Sequence, residues 1–529
     1  MSTPGSAAAT ESAGAPAKPR PKIVMLVANG VVGDSRVQKI AWSMAAAGYQ
    51  VTLLGRAPAE ETQRFRLGAA DVVLVPVPMT VSGYEGARLR GGRRAAGLRS
   101  GYRDARAGLA ERDAASGRRL RSSASASVRH WLATQPAADD LVARLGRGPV
   151  GGGVRKVVGS TMGLTDQYGG WRWFNPWFAD LELALAPVVR DLEPDLIHAH
   201  DFHMVGIGAR LAATLSTPEH PVRWIYDAHE YLRGIEVPSR TDVRLIMRRR
   251  MLVGVEREYI GRADAVVTVS EGIATRLAGD HGLRQRPRVI LNAPVITPRF
   301  AQEGARSLRE DCGLAEEVPL LLYSGGMSPR RGVATVIDAL VELTDVHLAL
   351  IAREDDPDVA ALRQRAVDRK VEDRLHVVPY VPVDQVVPYI SSATIGLVPI
   401  LHLPNHELSL ITKYFEYLHA ALPIVTSDVR EMAAETRRLG VGEVFVAGDA
   451  ASLAEAVRKV LAEPGRYRAV YQGSDDPRPG SSWAGQSAKL DALYRGVLRM
   501  EPGPARPAGE LELVPVTDIS SDEQPAPTR

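Results

Sequence analysis

The sequence predicts an α/β protein of two domains, each built on a doubly wound parallel sheet. Two observations lead to this fold class. Short continuous apolar runs alternate with amphipathic stretches of helical period, which is typical of β-α-β units and parallel sheets. This series breaks off and starts again in the second half of the 529-residue chain, and a chain of that length is too long for a single hydrophobic core.

The first series starts with the apolar run Lys22–Ala28, as expected of a strand that is buried on both faces. A turn over Asn29–Gly33 follows, and Asp34 has the side chain of an N-cap for a helix that reaches about Ala47. Gly48 then fits the end of that helix. The same pattern predicts further strands at Gln50–Leu54, Asp195–His200, Val222–His229, Ala265–Ser270 and Val289–Asn292.

A second series begins at Pro319. It predicts strands at Leu320–Ser324, His347–Ala352, His376–Pro379, Ile395–Ile400 and Pro423–Ser427. The two α/β domains therefore meet near residues 293–318, and we assign residues 21–295 to an N-terminal domain and 296–480 to a C-terminal one. A last helix over about Ser487–Arg499, within residues 481–500, is expected to cross back to the first domain.

Three segments do not fit the α/β pattern. Residues 1–20 and 501–529 have too little apolar surface to order themselves, and we predict disordered tails there. An insertion at about 85–130 is basic, because the stretch Arg88–Arg129 holds twelve arginines against three acidic residues. Two interpretations stay open: a solvated, partly disordered insertion, or a surface that meets anionic lipid headgroups or an anionic polymer.

Composition excludes several classes of protein. Apolar residues at 45% and charged residues at 24% are those of an ordinary globular protein, and a net charge of +3 does not call for nucleic acid. The single cysteine, Cys312, excludes a disulfide framework and a thiolate metal cluster. Without an apolar run of about 20 residues or a signal-peptide pattern, we expect a cytoplasmic protein.

The turn after the first strand suggests a ligand site. Its spacing is not G-x-G-x-x-G, and the second strand ends in Leu54-Gly55-Arg56 rather than in an acid, so a dinucleotide site is not indicated. A glycine turn also lets the backbone approach a nucleotide-sugar closely. We therefore predict that Gly33 contacts the donor and that Asp34 and Arg36 line the cleft on the acceptor side.

Polar residues also gather at the ends of two predicted strands, where α/β sheets bind ligands. Ile197–His203 contains three histidines, but no cysteine or close carboxylate pair completes a metal site, so we expect no metal. A histidine there can instead contact a sugar hydroxyl, or it is simply a satisfied polar strand end. At the next strand end, Asp227, His229 and Glu230 form either a polar wall for an acceptor or a set of helix-capping groups.

In the second domain, Leu322–Gly332 is a strand, a glycine turn with Gly325 and Gly326, and an arginine pair that opens a helix. Backbone N–H groups at a helix start together with guanidinium charge suit a diphosphate. We predict Arg331 as the phosphate ligand and Arg330 as its more solvent-facing neighbour. The alternative is an exposed basic helix start.

The stretch His406–Asp428 is a loop, then a helix that starts near Ser409, then a strand entered through Pro423. Lys413 at the helix start suits a phosphate. Glu416, one turn later, can accept hydrogen bonds from both ribose hydroxyls. A carboxylate buried in this apolar helix is costly without such partners.

The order of these parts resembles that of GT-B glycosyltransferases, most of all the retaining family 4. The resemblance spans about residues 22–465 and implies two Rossmann-like doubly wound parallel-sheet domains that face a cleft. The motifs that carry it are His198–Asp201, Val269-Ser270, Asn292–Pro294, Gly325-Gly326 and Glu416–Val425. The resemblance implies that His200 contacts the donor sugar, that Arg331 and Lys413 neutralise the leaving diphosphate, and that Glu416 holds the ribose.

The chain departs from the family pattern at two positions. Many members carry an arginine directly after the glycine of the phosphate turn, where this chain has Gly326. The usual paired glutamates lie eight residues apart, and the position of the first is Leu408. Glu407, one position earlier, either takes over that catalytic role through a loop shift or the role is lost.

From the resemblance we predict transfer of a sugar, with retention, from a nucleotide-diphosphate-sugar to a saccharide or lipid-linked acceptor in cell-envelope glycan or glycolipid synthesis. No cofactor, no metal and no nucleic acid are expected. The basic insertion is expected to allow contact with an anionic membrane at its inner face. The alternatives are a nucleotide-sugar epimerase of the same fold and a non-catalytic GT-B binding module.

Overall fold

The computed structural model describes residues 20–89, 94–119, 176–237, 242–296, 306–382 and 385–501. Apart from their boundary residues, both predicted tails lie outside these ranges, as do residues 90–93 and 120–130 of the basic insertion. The strands are β1 Lys22–Leu26, β2 Gln50–Arg56, β3 Gln63–Leu67, β4 Ala70–Val75, β5 Leu196–His200, β6 Arg223–Ala228, β7 Ala265–Thr268, β8 Arg288–Val289, β9 Leu320–Ser324, β10 His347–Ile351, β11 Leu375–Val378, β12 Ile395–Val398, β13 Ile424–Ser427 and β14 Gly442–Phe445.

Helices connect these strands in nearly every case. They are α1 Ser35–Ala46, α2 Thr80–Leu89, α3 Arg94–Arg119, α4 Pro176–Leu192, α5 Asp201–Leu215, α6 Val243–Tyr259, α7 Glu271–His281, α8 Leu308–Asp311, α9 Val333–Ala339, α10 Pro357–Arg369, α11 Val386–Ile390, α12 Thr412–His419, α13 Arg430–Leu439, α14 Ala450–Ala462, α15 Pro464–Ala469 and α16 Trp483–Val497.

The described strands form two sheets, which confirms the predicted fold class. The first has eight strands in the order β3-β4-β2-β1-β5-β6-β7-β8, and the second has six in the order β11-β10-β9-β12-β13-β14. Every pair is parallel except β3 with β4. The strand order reverses between β1 and β5 and between β9 and β12, and such reversal points are where open α/β sheets bind ligands.

Three strands, β3, β4 and β14, were not predicted from the sequence. In β3 the run Gln-Arg-Phe-Arg-Leu is mostly exposed and polar, so it lacks the apolar run of a central strand; β4 pairs with it in a hairpin. The third, β14, is a short edge strand with three half-buried residues. The predicted strand Val289–Asn292 is wrong in extent, because the backbone N–H of Leu291 bonds to Gln486 Oε1 instead of a neighbouring strand.

The last helix joins the N-terminal domain. On α16, Trp483 donates from Nε1 to Ser43 Oγ on α1 at 2.7 Å, and Asp491 accepts a 2.7 Å bond from the hydroxyl of Tyr49. Trp483 and Tyr494 are buried in the apolar cluster on the α1 side of the first sheet. Because this helix follows the second domain in sequence, the chain crosses between the domains twice.

The described part of the basic insertion is helical. Tyr84 on α2 stacks on Tyr102 on α3 with ring centroids 4.0 Å apart. The carboxylate of Asp180 on α4 accepts the backbone N–H groups of Val81 and Ser82 at 2.7 and 3.0 Å, which holds the start of α2. Among the described residues, no helix combines the length and apolar content that crossing a bilayer requires.

Candidate active site

The N-terminal wall of the cleft is built around a buried ion pair. Arg36, on the first turn of α1, donates from Nε and Nη2 to the two carboxylate oxygens of Asp227 on β6, both at 2.9 Å. Its Nη1 donates to the carbonyl of Ile290 at 2.8 Å. Both side chains are almost completely buried. The structure thus brings the predicted acceptor residues Arg36 and Asp227 together, but their charged groups bond to each other.

Three histidines surround the Asp227 carboxylate. Its Oδ2 lies 3.2 Å from Nδ1 of His200, 3.4 Å from Nε2 of His229 and 4.0 Å from Nε2 of His198. His198 and His200 are fully buried, whereas the side chain of His229 is 22% exposed. The other ring nitrogen of His198, Nδ1, lies 2.6 Å from the hydroxyl of Tyr494 on α16. His229 is therefore the most exposed member of this cluster.

The charges in this cluster depend on one another. Burial alone raises the pKa of Asp227, but Arg36 and His229 outweigh it and hold that pKa well below its usual range. Burial lowers the pKa values of His198 and His200, so both rings stay neutral. Burial also lowers the pKa of His229, but the Asp227 carboxylate outweighs it and the net shift is upward. The wall thus holds Arg36 and Asp227 as a compensated pair.

His198, His200 and Asp227 also place potential metal ligands within 4.8 Å of one another. However, the guanidinium of Arg36 already occupies both oxygens of Asp227. A divalent cation there would meet a fixed positive charge and would have to displace it. The group therefore fits a buried ion pair better than a metal centre, and absence of a metal remains our expectation.

Asp201, which opens α5 at the end of β5, ends the His198–Asp201 motif but was given no role of its own from the sequence. It has φ 65°, unusual for a residue with a Cβ, and its carboxylate accepts the N–H of Phe202 at 2.7 Å. Such strain concentrates at ligand sites. Burial, followed by the charge of Asp201, raises the pKa of Glu230 to about 7. Asp201 and the predicted acceptor residue Glu230 therefore belong to one part of the wall.

The turn before α1 is organised by its cap. Gly33 has φ 84°, and a Cβ there would meet open space. Asp34 caps α1 by accepting the N–H of Val37 at 3.2 Å, and it also accepts a bond from Asn29 Nδ2 at 2.9 Å. The carboxylate of Asp34 therefore has structural partners in addition to any contact with an acceptor.

The C-terminal wall centres on Lys413, on the first turn of α12. Its Nζ donates to the hydroxyl of Tyr323 at 3.1 Å and lies 4.1 Å from that ring's centroid. Gly325 has φ 119°, and a Cβ at this position would collide with the end of the Lys413 side chain. Gly326 is exposed with open space around it. The glycine turn and Lys413 thus lie side by side, and their binding of a donor stays a prediction.

Arg331 and Glu416 share this site. Burial, followed by the positive charge of Arg331, lowers the pKa of Lys413 to about 7, and Glu416 opposes the shift. Burial raises the pKa of Glu416, while Lys413 and Lys39 oppose that shift. Lys413 therefore lies within electrostatic reach of both the Arg331 cation and the Glu416 carboxylate.

The arginine pair does not open a helix, which corrects one expectation. Pro329–Arg331 is a 3-10 turn, and α9 begins only after Gly332. Gly332, which ends this turn, has φ 70°, and a Cβ on it would collide with the carbonyl of Pro399, so the position requires a glycine. Arg330 is exposed, and its Nη1 lies 3.4 Å from Oε2 of Glu236 in the N-terminal domain.

Glu407 is engaged by residues of its own domain. One carboxylate oxygen contacts Nδ1 of His402, and the other accepts the backbone N–H of Arg430, the first residue of α13, at 2.8 Å. His402 also lies 2.9 Å from Asp428 through Nε2. We call His402, Glu407 and Asp428 the loop clip. Whether Glu407 also replaces the missing family glutamate stays a prediction.

Leu408 points away from this clip and is buried with the core of the N-terminal domain. Its carbonyl accepts a hydrogen bond from Ser270 Oγ, which caps α7. The predicted helix start near Ser409 is wrong by three residues. His406–Leu408 is a 3-10 turn, Ser409 is extended, and α12 starts at Thr412. An apolar residue at 408 therefore serves the contact between the domains.

Known proteins match both halves of the chain. The model of glycosyl transferases group 1 matches residues 318–463, and that of Glycosyltransferase Family 4 matches residues 141–293. A 2-deoxystreptamine glucosyltransferase of Streptomyces kanamyceticus is 23% identical over 333 residues, 62% of this chain and 81% of the relative. A D-inositol 3-phosphate glycosyltransferase of Geodermatophilus obscurus is 24% identical over 312 residues, 57% of this chain and 66% of the relative.

Solved structures match nearly the whole fold. Sucrose-phosphate synthase from Thermosynechococcus elongatus superposes with a TM-score of 0.60 at 15% sequence identity, and the match covers 91% of this chain and all of the synthase. At that level of identity the likeness concerns the fold.

Proposed function

The chain belongs to glycosyltransferase family 4 and has the GT-B fold, and from this premise we propose that it moves a sugar from a nucleotide-diphosphate-sugar to a polyhydroxylated acceptor with retention. The observation that carries the donor half of the proposal is the excess of cationic charge around Glu416. Arg331 and Lys413 bring a guanidinium and an amine to a half-buried site that holds one carboxylate, and burial and the Arg331 charge lower the pKa of the amine to about 7. A diphosphate supplies the missing negative charge.

The arrangement also suits a nucleotide chemically. Glu416 can accept both hydroxyls of a ribose, which repays the cost of its burial. Tyr323 accepts a 3.1 Å hydrogen bond from Lys413 Nζ next to the glycine turn, in which Gly326 is exposed with open space around it. We propose that Arg331 and Lys413 bind the phosphates and that Glu416 binds the ribose.

Charge development explains how these groups would accelerate the reaction. As the bond to the anomeric carbon breaks, negative charge grows on the leaving diphosphate, and fixed cations stabilise it without reorganising. We propose attack from the same face, with a leaving phosphate oxygen taking the acceptor proton, so that configuration is retained and no protein base is needed. The contacts of Ser270 with Leu408 and of Glu236 with Arg330 join the lobes and help to exclude water.

His200 is the candidate contact for the donor sugar. It ends β5 beside the cleft, and its Nε2 has no hydrogen-bond partner among the described residues, although the atom is buried. A buried nitrogen without a partner is costly. We propose that a sugar hydroxyl supplies that partner when the donor is bound.

The acceptor side is proposed from the opposite wall. The relatives' names give acceptors of different kinds, D-inositol 3-phosphate and 2-deoxystreptamine. In this chain His229 and Glu230 offer groups that are neither fully buried nor paired with each other. We propose that they bind hydroxyls of a saccharide or lipid-linked acceptor, in the synthesis of a cell-envelope glycan or glycolipid.

We further propose that the basic insertion brings the enzyme to an anionic membrane surface. Arg103 on α3 is exposed, and α3 has little apolar character, so attraction to lipid should be mainly electrostatic. Flotation with vesicles of phosphatidylcholine and phosphatidylglycerol tests this: binding should vanish above about 0.5 M salt, where charges are screened. Salt-resistant binding, or none at low salt, would contradict it.

The experiment for the donor site starts with a thermal-shift screen of UDP-, GDP- and ADP-sugars, because a ligand of the native state raises its stability. The responding donor, radiolabelled, is then supplied with a membrane extract. Transfer should fall by at least about 100-fold in Glu416→Ala and Arg331→Ala, which corresponds to about 2.7 kcal/mol of transition-state stabilisation.

Arg458→Ala is the matched control, because Arg458 lies on α14 and pairs with Glu342 on the surface. Equal labelling by wild type and both site variants would refute the assignment of the site. An inverted anomeric configuration in the product, measured by NMR, would refute retention. Loss of transfer in excess EDTA would refute the expectation that no metal is needed.

A further inference from the structure

Lys39 occupies a position that the donor site and the acceptor wall do not explain. It lies on α1 one turn after Arg36, and only 3% of it is exposed. Its Nζ donates to Asn292 Oδ1 at 2.8 Å and to the carbonyl of Ala293 at 2.6 Å. Asn292 and Ala293 belong to the segment that connects the two domains. A buried lysine of the first domain thus holds the connection to the second.

The bonding continues from this segment into the donor domain. Asn292 donates from Nδ2 to Thr412 Oγ1 at 3.0 Å. Thr412 is the first residue of α12, directly before Lys413 and one turn before Glu416. Lys39, Asn292 and Thr412 therefore form a relay of side chains from α1 to the start of the helix that carries both predicted nucleotide ligands.

Helix α16, which returns to the N-terminal domain, contacts the same connecting segment from the other side. Trp483 of α16 lies with its ring 4.8 Å from Lys39 Nζ, and its backbone N–H bonds to the carbonyl of Pro294 at 2.9 Å. Gln486 accepts the N–H of Leu291 at 3.1 Å. The connecting segment is thus clamped between α1 and α16, which leaves little freedom for its position.

Charge connects Lys39 to the donor site independently of these bonds. Lys39 acts on the Glu416 carboxylate and lowers its pKa, against the larger effect of burial. Burial and Arg36 lower the pKa of Lys39 to about 7, and Glu416 is the strongest of the charges that oppose this shift. An ammonium that is buried beside Arg36 is costly, so some stabilising partner is required, and Glu416 supplies part of it across the domain boundary.

We propose that Lys39 is a positioning residue for the donor, through which the N-terminal domain sets the orientation and charge of Glu416. The relay aligns the start of α12, and the charged form of Lys39 opposes the effect of burial on Glu416, which favours the carboxylate as an acceptor for the ribose hydroxyls. The nucleotide is therefore bound by the C-terminal domain with help from a residue of the other domain. This inference rests on the proposed function, because it gives Lys39 a role at that donor site.

The test measures nucleotide affinity by titration calorimetry with UDP, GDP and ADP, using whichever the wild type binds. Lys39→Met keeps the length of the side chain but loses its charge and both bonds, and we expect affinity to fall about tenfold. Lys39→Arg should recover part of that loss. Thr412→Val breaks the relay at its other end, in a less buried place, and should weaken binding by about threefold.

Two controls separate positioning from general destabilisation. Lys22→Met makes the same charge change at the opposite end of β1, where Lys22 pairs with Glu193 at 3.3 Å, and should leave affinity unchanged. In a cycle with Glu416→Gln, the losses should not add, because residues that act through one another are coupled. A merely structural role would lower the melting temperatures of the Lys39 variants without changing their nucleotide affinity.

The outcomes distinguish this inference from the proposed function. If the wild type binds a nucleotide and Lys39→Met and Thr412→Val bind it equally well, the role of Lys39 is refuted and the proposed function stands. Additive losses with Glu416→Gln would also refute it. If the wild type binds none of the three nucleotides, both proposals fail together.

Discussion

The two walls of the cleft handle charge in opposite ways. In the N-terminal wall, Arg36 and Asp227 are almost completely buried and neutralise each other through two 2.9 Å bonds. In the C-terminal wall, Arg331 and Lys413 are half-buried, and Lys413 lies between the positive charge of Arg331 and the carboxylate of Glu416, which act on its pKa in opposite directions. The first wall is electrostatically complete without a ligand, and the second is not.

This difference separates a wall that holds its shape from a wall that binds. Removing one partner of a buried ion pair strongly destabilises the folded protein, because the other charge stays buried and uncompensated. Cations in excess at a half-open site instead gain from an anionic ligand. Substitutions should therefore reduce stability in the N-terminal wall and nucleotide affinity in the C-terminal wall.

The largest effect is expected from Asp227→Asn, which leaves Arg36 without a counter-charge. We expect the free energy of unfolding of the N-terminal domain to fall by about 3–5 kcal/mol, measured by urea denaturation. The double variant Arg36→Met/Asp227→Leu removes both charges and should lose much less. A loss below about 1 kcal/mol in Asp227→Asn would mean that the pair is not the electrostatic core of this wall.

The second-largest effect is expected in the C-terminal wall, where nucleotide affinity should depend on pH. In the free protein, burial and Arg331 lower the pKa of Lys413 to about 7, and a bound diphosphate would raise it again. Above pH 7 the lysine must therefore take up a proton on binding. Nucleotide affinity should fall as pH rises above 7, by up to about tenfold per pH unit for one lysine.

Calorimetry at pH 8 in two buffers of different ionisation enthalpy measures this proton uptake. Lys413→Met should abolish its share of the uptake, whereas Arg458→Ala should keep all of it. Lys413 also affects folding, because the unfolded lysine binds its proton up to about pH 10.5. Between about pH 7 and 10.5 the unfolded state holds more protons, so this lysine makes stability rise with pH across that window.

The smallest effect concerns the loop clip, which belongs to the C-terminal wall but is already compensated. His402 is about half exposed, at 51%, so its ion pairs are screened by solvent. Glu407, opposed by burial and helped by Asp428, raises the pKa of His402. The clip should therefore be fully formed below the ordinary histidine pKa of about 6.5 and be lost as pH rises through the raised value.

His402→Gln should lower the stability of the C-terminal domain by about 0.5–1 kcal/mol at pH 6 and by less at pH 8. The measurement is urea denaturation at both pH values. The control is Arg363→Gln, because Arg363 forms a surface ion pair with Glu354. A loss that does not depend on pH would show that packing of the ring, not its charge, holds the loop.

Much of this protein was determined by its sequence. Continuous apolar runs specify buried strands, because a strand covered on both faces has no polar side; the predicted Leu320–Ser324 coincides with β9. Asp34 was recognised as a cap from its side chain and position. Arg331, Lys413 and Glu416 could be assigned to one donor site because their side chains suit phosphates and a ribose and because the resemblance to family 4 implies those roles.

Tertiary structure alone decided which distant residues meet. The exposed strand β3 has no apolar run and forms only because β4 pairs with it. The bonds of Lys39 to Asn292 and of Asn292 to Thr412 join residues 253 and 120 positions apart, and no local pattern encodes them. Periodicity reports which face of an element is buried, whereas pairing and charge compensation across domains depend on how those faces pack together.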